Sequence, residues 1–207
     1  TGETLEETLK WVKFSGASWN KEGTGFYYSR YPEPDEALQD INSKHQVYFH
    51  KVGTPQSEDV LLFETPDNPD ESHWMWESED GEAHFMSHSD STDDRNRLWW
   101  KPADSEEWVR LFDENDAGYR YLGKRESTVW IRTNKDAPNG RVFSMDLESP
   151  EEQEQVIALQ RSDIVQLDET LDWKLSAVDI VHSRIFTPVC KKEDQNQLEL
   201  VNYYYLV

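Results

Sequence analysis

The residues that could do chemistry are few and scattered. His84 and His88 stand four apart, a spacing that on a helix would turn both imidazoles toward one metal ion. The intervening Phe85-Met86 reads as strand, on which the two share a face but lie about 13 Å apart, so no metal ligand is assigned. Asp90, Asp93, Asp94 and Asn96 crowd one loop without the glycine and closing glutamate of a calcium loop, and read as a turn with solvated charges. A serine nucleophile on a strand-turn-helix elbow needs Gly-x-Ser-x-Gly, because only small neighbours permit the strained turn, and the 9 glycines supply no such run. The nearest cluster, Ser15-Gly16-Ala17-Ser18, sits in a strand pattern and reads as small packing residues. Nothing marks a triad assembled from remote residues. Cys190 is the single cysteine, so no intrachain disulfide forms; with no neighbour built to lower its pKa, it reads as a small apolar filler. No catalytic residue and no cofactor are assigned.

The elements that must position any site are strands. Trp11, Val12 and Phe14 open an aromatic stretch, Asn20-Lys21-Glu22-Gly23 turns it, and Phe26, Tyr27, Tyr28 and Tyr31 close it, which predicts a hairpin. A lone hairpin buries too little to stand in water, so further copies are required. The chain supplies them: strands are predicted around His45 to Val52, Asp59 to Glu64, Trp74 to Trp76, His84 to Met86, Arg95 to Lys101, Trp108 to Phe112, Tyr119 to Leu122, Thr128 to Thr133 and Gly140 to Asp146. Ser149-Pro150-Glu151-Glu152 reads as a one-turn helix start before a strand from Val156 to Leu159. A weaker fourth group follows in Leu171 to Val178, Ile180 to Phe186 and Gln197 to Tyr204. Asp80 and Asp136 lie at strand boundaries, where an Asp side chain can bond nearby amides and fix a turn. Residues Thr1 to Lys10 read as a frayed lead-in or the end of an earlier unit.

Composition agrees with an all-β chain. In 207 residues there are 9 Trp, 9 Tyr and 8 Phe, so a low hydrophobic fraction of 36% is concentrated in large rings that favour strands. The net charge of -21 repels phosphate backbones and anionic membrane surfaces, so neither nucleic acid nor membrane is expected as a partner. There is no run of about 20 apolar residues, and the polar Thr1-Gly2-Glu3-Thr4 is not a signal peptide.

Taking the strand after each hairpin, the apolar centres fall at Tyr48, Leu98, Val142 and Leu198, with separations of 50, 44 and 56 residues. These lie in or near the roughly 40 to 50 residue period of four-stranded propeller blades. The fold class expected is therefore a partial β-propeller of three to four antiparallel blades, over about 11–64, 74–112, 119–159 and 164–207. An ordinary meander sandwich fits the strand spacing alone.

The wording of several segments is more specific. Val12-Lys13-Phe14-Ser15-Gly16-Ala17-Ser18-Trp19, Gly25-Phe26-Tyr27-Tyr28-Ser29-Arg30-Tyr31-Pro32, Gly53-Thr54-Pro55-Gln56-Ser57-Glu58-Asp59-Val60-Leu61, Asn96-Arg97-Leu98-Trp99 and Thr133-Asn134-Lys135-Asp136-Ala137-Pro138 resemble the propeller of the prolyl oligopeptidase family of serine peptidases. The resemblance is strong from Trp11 to about Leu159 and fades beyond Asp163. Oligopeptidase B shares part of the Gly53 to Leu61 motif, but Val12 to Tyr31 looks more like the prolyl enzymes.

In that family a propeller caps an α/β-hydrolase domain and excludes large folded proteins from the active-site cavity. The resemblance thus implies a gating segment of a peptidase that cuts short peptides after proline, in a cytoplasmic or alternatively periplasmic setting. The catalytic domain is not within this chain, so the parent's α/β-hydrolase domain and short peptides are the implied partners. A homodimer through open propeller edges is the alternative use of such a module. Family pocket contacts match Phe14 and Met75, for each of which, without the partner domain, a core side chain is the favoured reading; an arginine and a cysteine common before Asn-Arg-Leu-Trp match Ser89 and Thr92, which weakens the case for proline-peptide affinity.

Overall fold

The computed structural model describes residues 7–33, 43–90, 93–137, 140–158, 173–175, 179–181, 184–191 and 198–205. It is all-β: among the described residues the one helical element is a three-residue 3₁₀ turn, Gln56–Glu58. The chain forms two compact units, Thr1–Asn115 and Asp116–Val207.

The first unit holds two four-stranded antiparallel meanders. One contains β1 (Ser18–Trp19), β2 (Gly25–Arg30), β3 (Gln46–Lys51) and β4 (Val60–Phe63) in sequence order. The other contains β5 (Glu71–Glu77), β6 (Ala83–Asp90), β7 (Arg97–Pro102) and β8 (Val109–Phe112). Alternation decides their packing. Tyr27, Val47, Met75 and Met86 point into a common core, lined further by Phe49, Phe63 and Trp108. Met86 is fully buried, and such a side chain contributes about 1.5 to 3 kcal/mol. The opposite face of β2 carries Phe26 and Tyr28, which pack on Trp19, Tyr48 and His50.

The second unit repeats the meander in β9 (Tyr119–Arg125), β10 (Thr128–Thr133), β11 (Arg141–Asp146) and β12 (Ser149–Ala158). Period-two burial is clear in β10, where Val129, Ile131 and Thr133 are buried. Its last sheet is arranged differently. β13 (Trp173–Leu175) and β14 (Asp179–Val181) pair with opposite ends of β15 (Arg184–Lys191), which also pairs with β16 (Leu198–Tyr205). The stretch predicted as one strand from Ile180 to Phe186 is therefore two strands.

Two other expectations are corrected, at Trp11 to Phe14 and at Ser149. Trp11 to Phe14 is not strand: Trp11 and Phe14 take left-handed φ of 62° and 54°, so strand pairing starts only at Ser18. The lead-in is tied down as far as it is described, since Gln56 accepts from the Lys10 amide at 2.9 Å and donates to its carbonyl at 3.1 Å, while the Glu7 carboxylate accepts from the Gly53 amide at 2.8 Å. Ser149 caps no helix but is the first residue of β12, opposite Asp146. Pro150 is tolerated there because β12 is an edge strand and the proline stands at its start.

The turns follow their sequence signals more closely. In the first hairpin Asn20 Oδ1 accepts from the amides of Thr24 and Gly25, and Gly23 supplies a φ of 66°. Asp80 Oδ1 accepts from Ser78 Oγ and the Glu82 amide. At the third hairpin's far end the side-chain acceptor is Asn134 Oδ1, bonded to the Gly118 amide, and Asp136 provides the left-handed turn residue, φ 52°.

Candidate functional site

Phe14 is held by its backbone and free in its side chain. Its carbonyl accepts from Trp74 Nε1 at 2.7 Å, and the next residue, Ser15, accepts the Ser29 amide on its Oγ at 2.8 Å. The residue is 72% exposed. A left-handed backbone costs a non-glycine residue about 1 to 2 kcal/mol, and the ties to Trp74 and Ser29 hold the chain in it. Such a ring can stack on an apolar or proline side chain offered from solvent.

Met75 is 6% exposed and lies in the core between the two sheets of the first unit. It leaves β5 on the face opposite Trp74, the residue that holds Phe14, so the structure does not bring the Phe14 and Met75 side chains to one face of that strand. Ser89 is buried, its Oγ donating toward the carbonyls of Asp93 and Arg95, and Thr92 lies outside the described residues. Ser15 to Ser18 is not a packed cluster: Gly16 has open space around its Cα, and Ser15 acts as a hydrogen-bond bracket. Cys190 lies in β15; its side chain is outside the described residues. Asp93 pairs with Arg95, which holds its carboxyl down at about 2.

His84 and His88 both lie in β6 and do different things. His84 Nε2 meets the Tyr27 hydroxyl at 3.0 Å, and that hydroxyl donates to Glu77 Oε2 at 2.6 Å. His88 is paired across the hairpin with His73, Nδ1 to Nδ1 at 3.0 Å. Both rings are fully buried; burial first, then repulsion from His45 at His73 and from His73 at His88, push each down to about 3, so both are neutral. His73 Nε2 lies 2.8 Å from Thr65 Oγ1, and the His73 amide donates to His45 Nδ1 at 3.0 Å. Glu71, two residues from His73 on the same face, sits 3.3 Å from Arg97; burial raises its carboxyl above the usual range, and Arg97 opposes that rise.

The pairing of His73 with His88 is set by the turn that joins β5 to β6 and has no signal in the spacing within either strand. Ser78 and Ala83 close the turn, and each histidine stands five residues out from that pair, which sets them opposite one another.

Known proteins place this architecture. The family profile described as "Prolyl oligopeptidase, N-terminal beta-propeller domain" matches residues 1–179. The chain belongs to that family. Its four-stranded sheets are thus blades of a prolyl oligopeptidase propeller, three to four in number among the described residues. Prolyl oligopeptidase A of Amanita bisporigera is 32% identical over 159 residues, 71% of this chain and 21% of the relative. Prolyl endopeptidase of Elizabethkingia meningoseptica is 33% identical over 153 residues, 72% of this chain and 21% of the relative. Prolyl oligopeptidase B of Galerina marginata, solved bound to a 35mer hydrolysis and macrocyclization substrate, superposes with a TM-score of 0.82 at 27% identity, covering 98% of this chain and 27% of its own. Oligopeptidase B of Leishmania major, at 16% identity and a TM-score of 0.62, shares the fold. The chain spans about a quarter of the length of these relatives.

With the family in hand, the shared Gly53 to Leu61 motif has a plain structural use. Gly53 adopts a φ of 86°, Gln56 grips Lys10, and Asp59 receives Tyr28 and His50, so the motif fastens the incoming chain to the first blade.

Proposed function

We propose that this propeller segment gates short proline-containing peptides into the active-site cavity of a serine peptidase, with Phe14 on the substrate side of the family's pocket, Met75 supporting it from the core, and no catalytic residue in the chain. Its partner is the α/β-hydrolase domain of the parent enzyme. Phe14 carries the reading: a strained, solvent-open phenylalanine on a rigid bracket is what a peptide-facing contact requires, and it matches the family's pocket aromatic. Met75, buried as it is, would act by shaping the blade behind the contact.

The test is to graft residues 11–158 in place of the corresponding blades of a full-length prolyl oligopeptidase. The graft is expected to cleave a proline anilide, and Phe14→Ala to raise KM roughly 10-fold with a smaller change in kcat, as loss of a ground-state contact does. The 207-residue chain alone is expected to show no turnover; activity that survives purification and is blocked by a serine-reactive phosphonate would overturn the assignment.

A second reading, self-association through open sheet edges, draws on one observation. Val60, Leu61 and Leu62, consecutive in the edge strand β4, are 55%, 43% and 38% exposed. Light scattering behind a sizing column is expected to give twice 24.4 kDa on this reading, and Leu61→Lys to return the mass to 24.4 kDa. A wild-type monomer removes it.

A further inference from the structure

Glu71, His73 and His88 each place one ligand atom within 4.8 Å of those of the other two. We propose that this cluster, at one end of the core between the two sheets of the first unit, is a binding site for a divalent transition metal, Zn²⁺ being the ion its donors suit best. This departs from the expectation that the chain binds no metal.

The donor set comes first. Two imidazoles and one carboxylate form a recognised three-ligand zinc set that leaves a position for water. Glu71 and His73 lie on one face of β5, and His88 lies directly opposite His73 on β6, so the hairpin register presents all three together. The two histidine Nδ1 atoms are 3.0 Å apart. With bonds of about 2.1 Å, two ligand nitrogens on one ion stand roughly 3.0 Å apart at right angles and roughly 3.4 Å apart in a tetrahedron. The observed separation is thus that of two nitrogens on one ion, and the rings would turn so that their lone pairs converge on it rather than on each other.

Proton placement gives a second, independent reason. His88 Nε2 has no hydrogen-bond partner, in a ring that is 0% exposed. Its surroundings include Trp99, with centroids 4.0 Å apart, and Phe63 at 5.2 Å. With a metal on the two Nδ1 atoms, His88 Nε2 carries the ring proton, and an N–H among aromatic rings is attracted by π density. His73 Nε2 lies 2.8 Å from Thr65 Oγ1, which can orient the ring as an outer partner orients a metal-bound histidine.

Glu71 supplies the third ligand and the way in, since its side chain is 11% exposed. It shares Arg97 with Asp90, and Asp90 also accepts from Asn115, so the Arg97 cation remains paired with Asp90 when Glu71 turns to an ion.

The test is a Co²⁺ titration of the 207-residue chain after chelator treatment, read as visible ligand-field absorption and repeated with Zn²⁺ as competitor. One Co²⁺ per chain is expected, displaced by Zn²⁺ and unaffected by excess Mg²⁺, which would compete at an acidic surface. Glu71→Gln and His88→Gln should each weaken binding at least ~10-fold. Histidine ring nitrogen shifts of the wild-type chain with Zn²⁺ give a reading that needs no variant: the resonances of two rings should move on binding. Absence of the absorption in a folded chain, absorption retained undiminished in both variants, or unmoved ring shifts would each overturn the site.

Discussion

Gly25→Ala is expected to destabilise the first unit by about 3 kcal/mol or more, seen as a large fall in the urea midpoint of intrinsic tryptophan fluorescence. The reason is contact rather than backbone freedom. A methyl at Gly25 would overlap both the His50 carbonyl oxygen and the Phe49 ring. Phe49 packs on Tyr27 with centroids 5.2 Å apart at the edge of the core, and the His50 carbonyl belongs to the strand paired with β2, so neither can withdraw cheaply. Overpacking ordinarily costs about 1 to 3 kcal/mol, and a clash with strand backbone lies at the upper end of that range. Gly16→Ala is the control. No atom lies within 4 Å of a methyl there and its φ is not left-handed, so the midpoint should stay or rise slightly as the unfolded chain loses freedom. Equal midpoints for the two variants would show that β2 and β3 are not packed as described.

That contrast between two glycines marks how far local sequence reaches. The meanders were legible because aromatic and β-branched runs, and turns such as Asn20 to Gly23 and Ser78 to Gly81, are written within a few residues of one another. Blade membership was legible too, from the repeated spacing and from segments such as Gly53 to Leu61. What stayed hidden depends on partners distant in sequence. Trp11 to Phe14 has the composition of a strand, yet the Trp11 carbonyl bonds the Tyr31 amide and the Phe14 carbonyl bonds Trp74, and these ties replace a ladder with left-handed turns. Pro150 carried a helix signal until the edge position of its strand made that signal irrelevant. The pairing of His73 with His88 needed a register, which no single strand contains.

Asp59→Ala is the second large effect, expected at roughly 3 to 5 kcal/mol, the scale on which breaking one member of a buried charged network falls. Its carboxylate is 0% exposed and accepts from the Tyr28 hydroxyl at 2.5 Å and from His50 Nδ1 at 2.7 Å. Removing it strands two buried donors at once, and it loosens the Tyr28 hydroxyl that also accepts from Gln56, the residue gripping Lys10. A double-mutant cycle with Tyr28→Phe should return a coupling of about 1 to 3 kcal/mol, because each substitution alone leaves the other group unpaired. The alkaline limb gives an independent reading. Burial first, and the bond to Asp59 second, raise the Tyr28 phenol above its ordinary value, so the folded chain keeps a proton that the unfolded chain releases. The stability this represents is fully present below about pH 10 and is lost as pH rises beyond it. In Asp59→Ala the phenol should titrate lower and the alkaline loss become shallower. A cycle with no coupling and an unchanged alkaline limb would mean that the carboxylate does not join β2 to the Gly53–Asp59 turn, leaving the family motif without the structural role assigned to it.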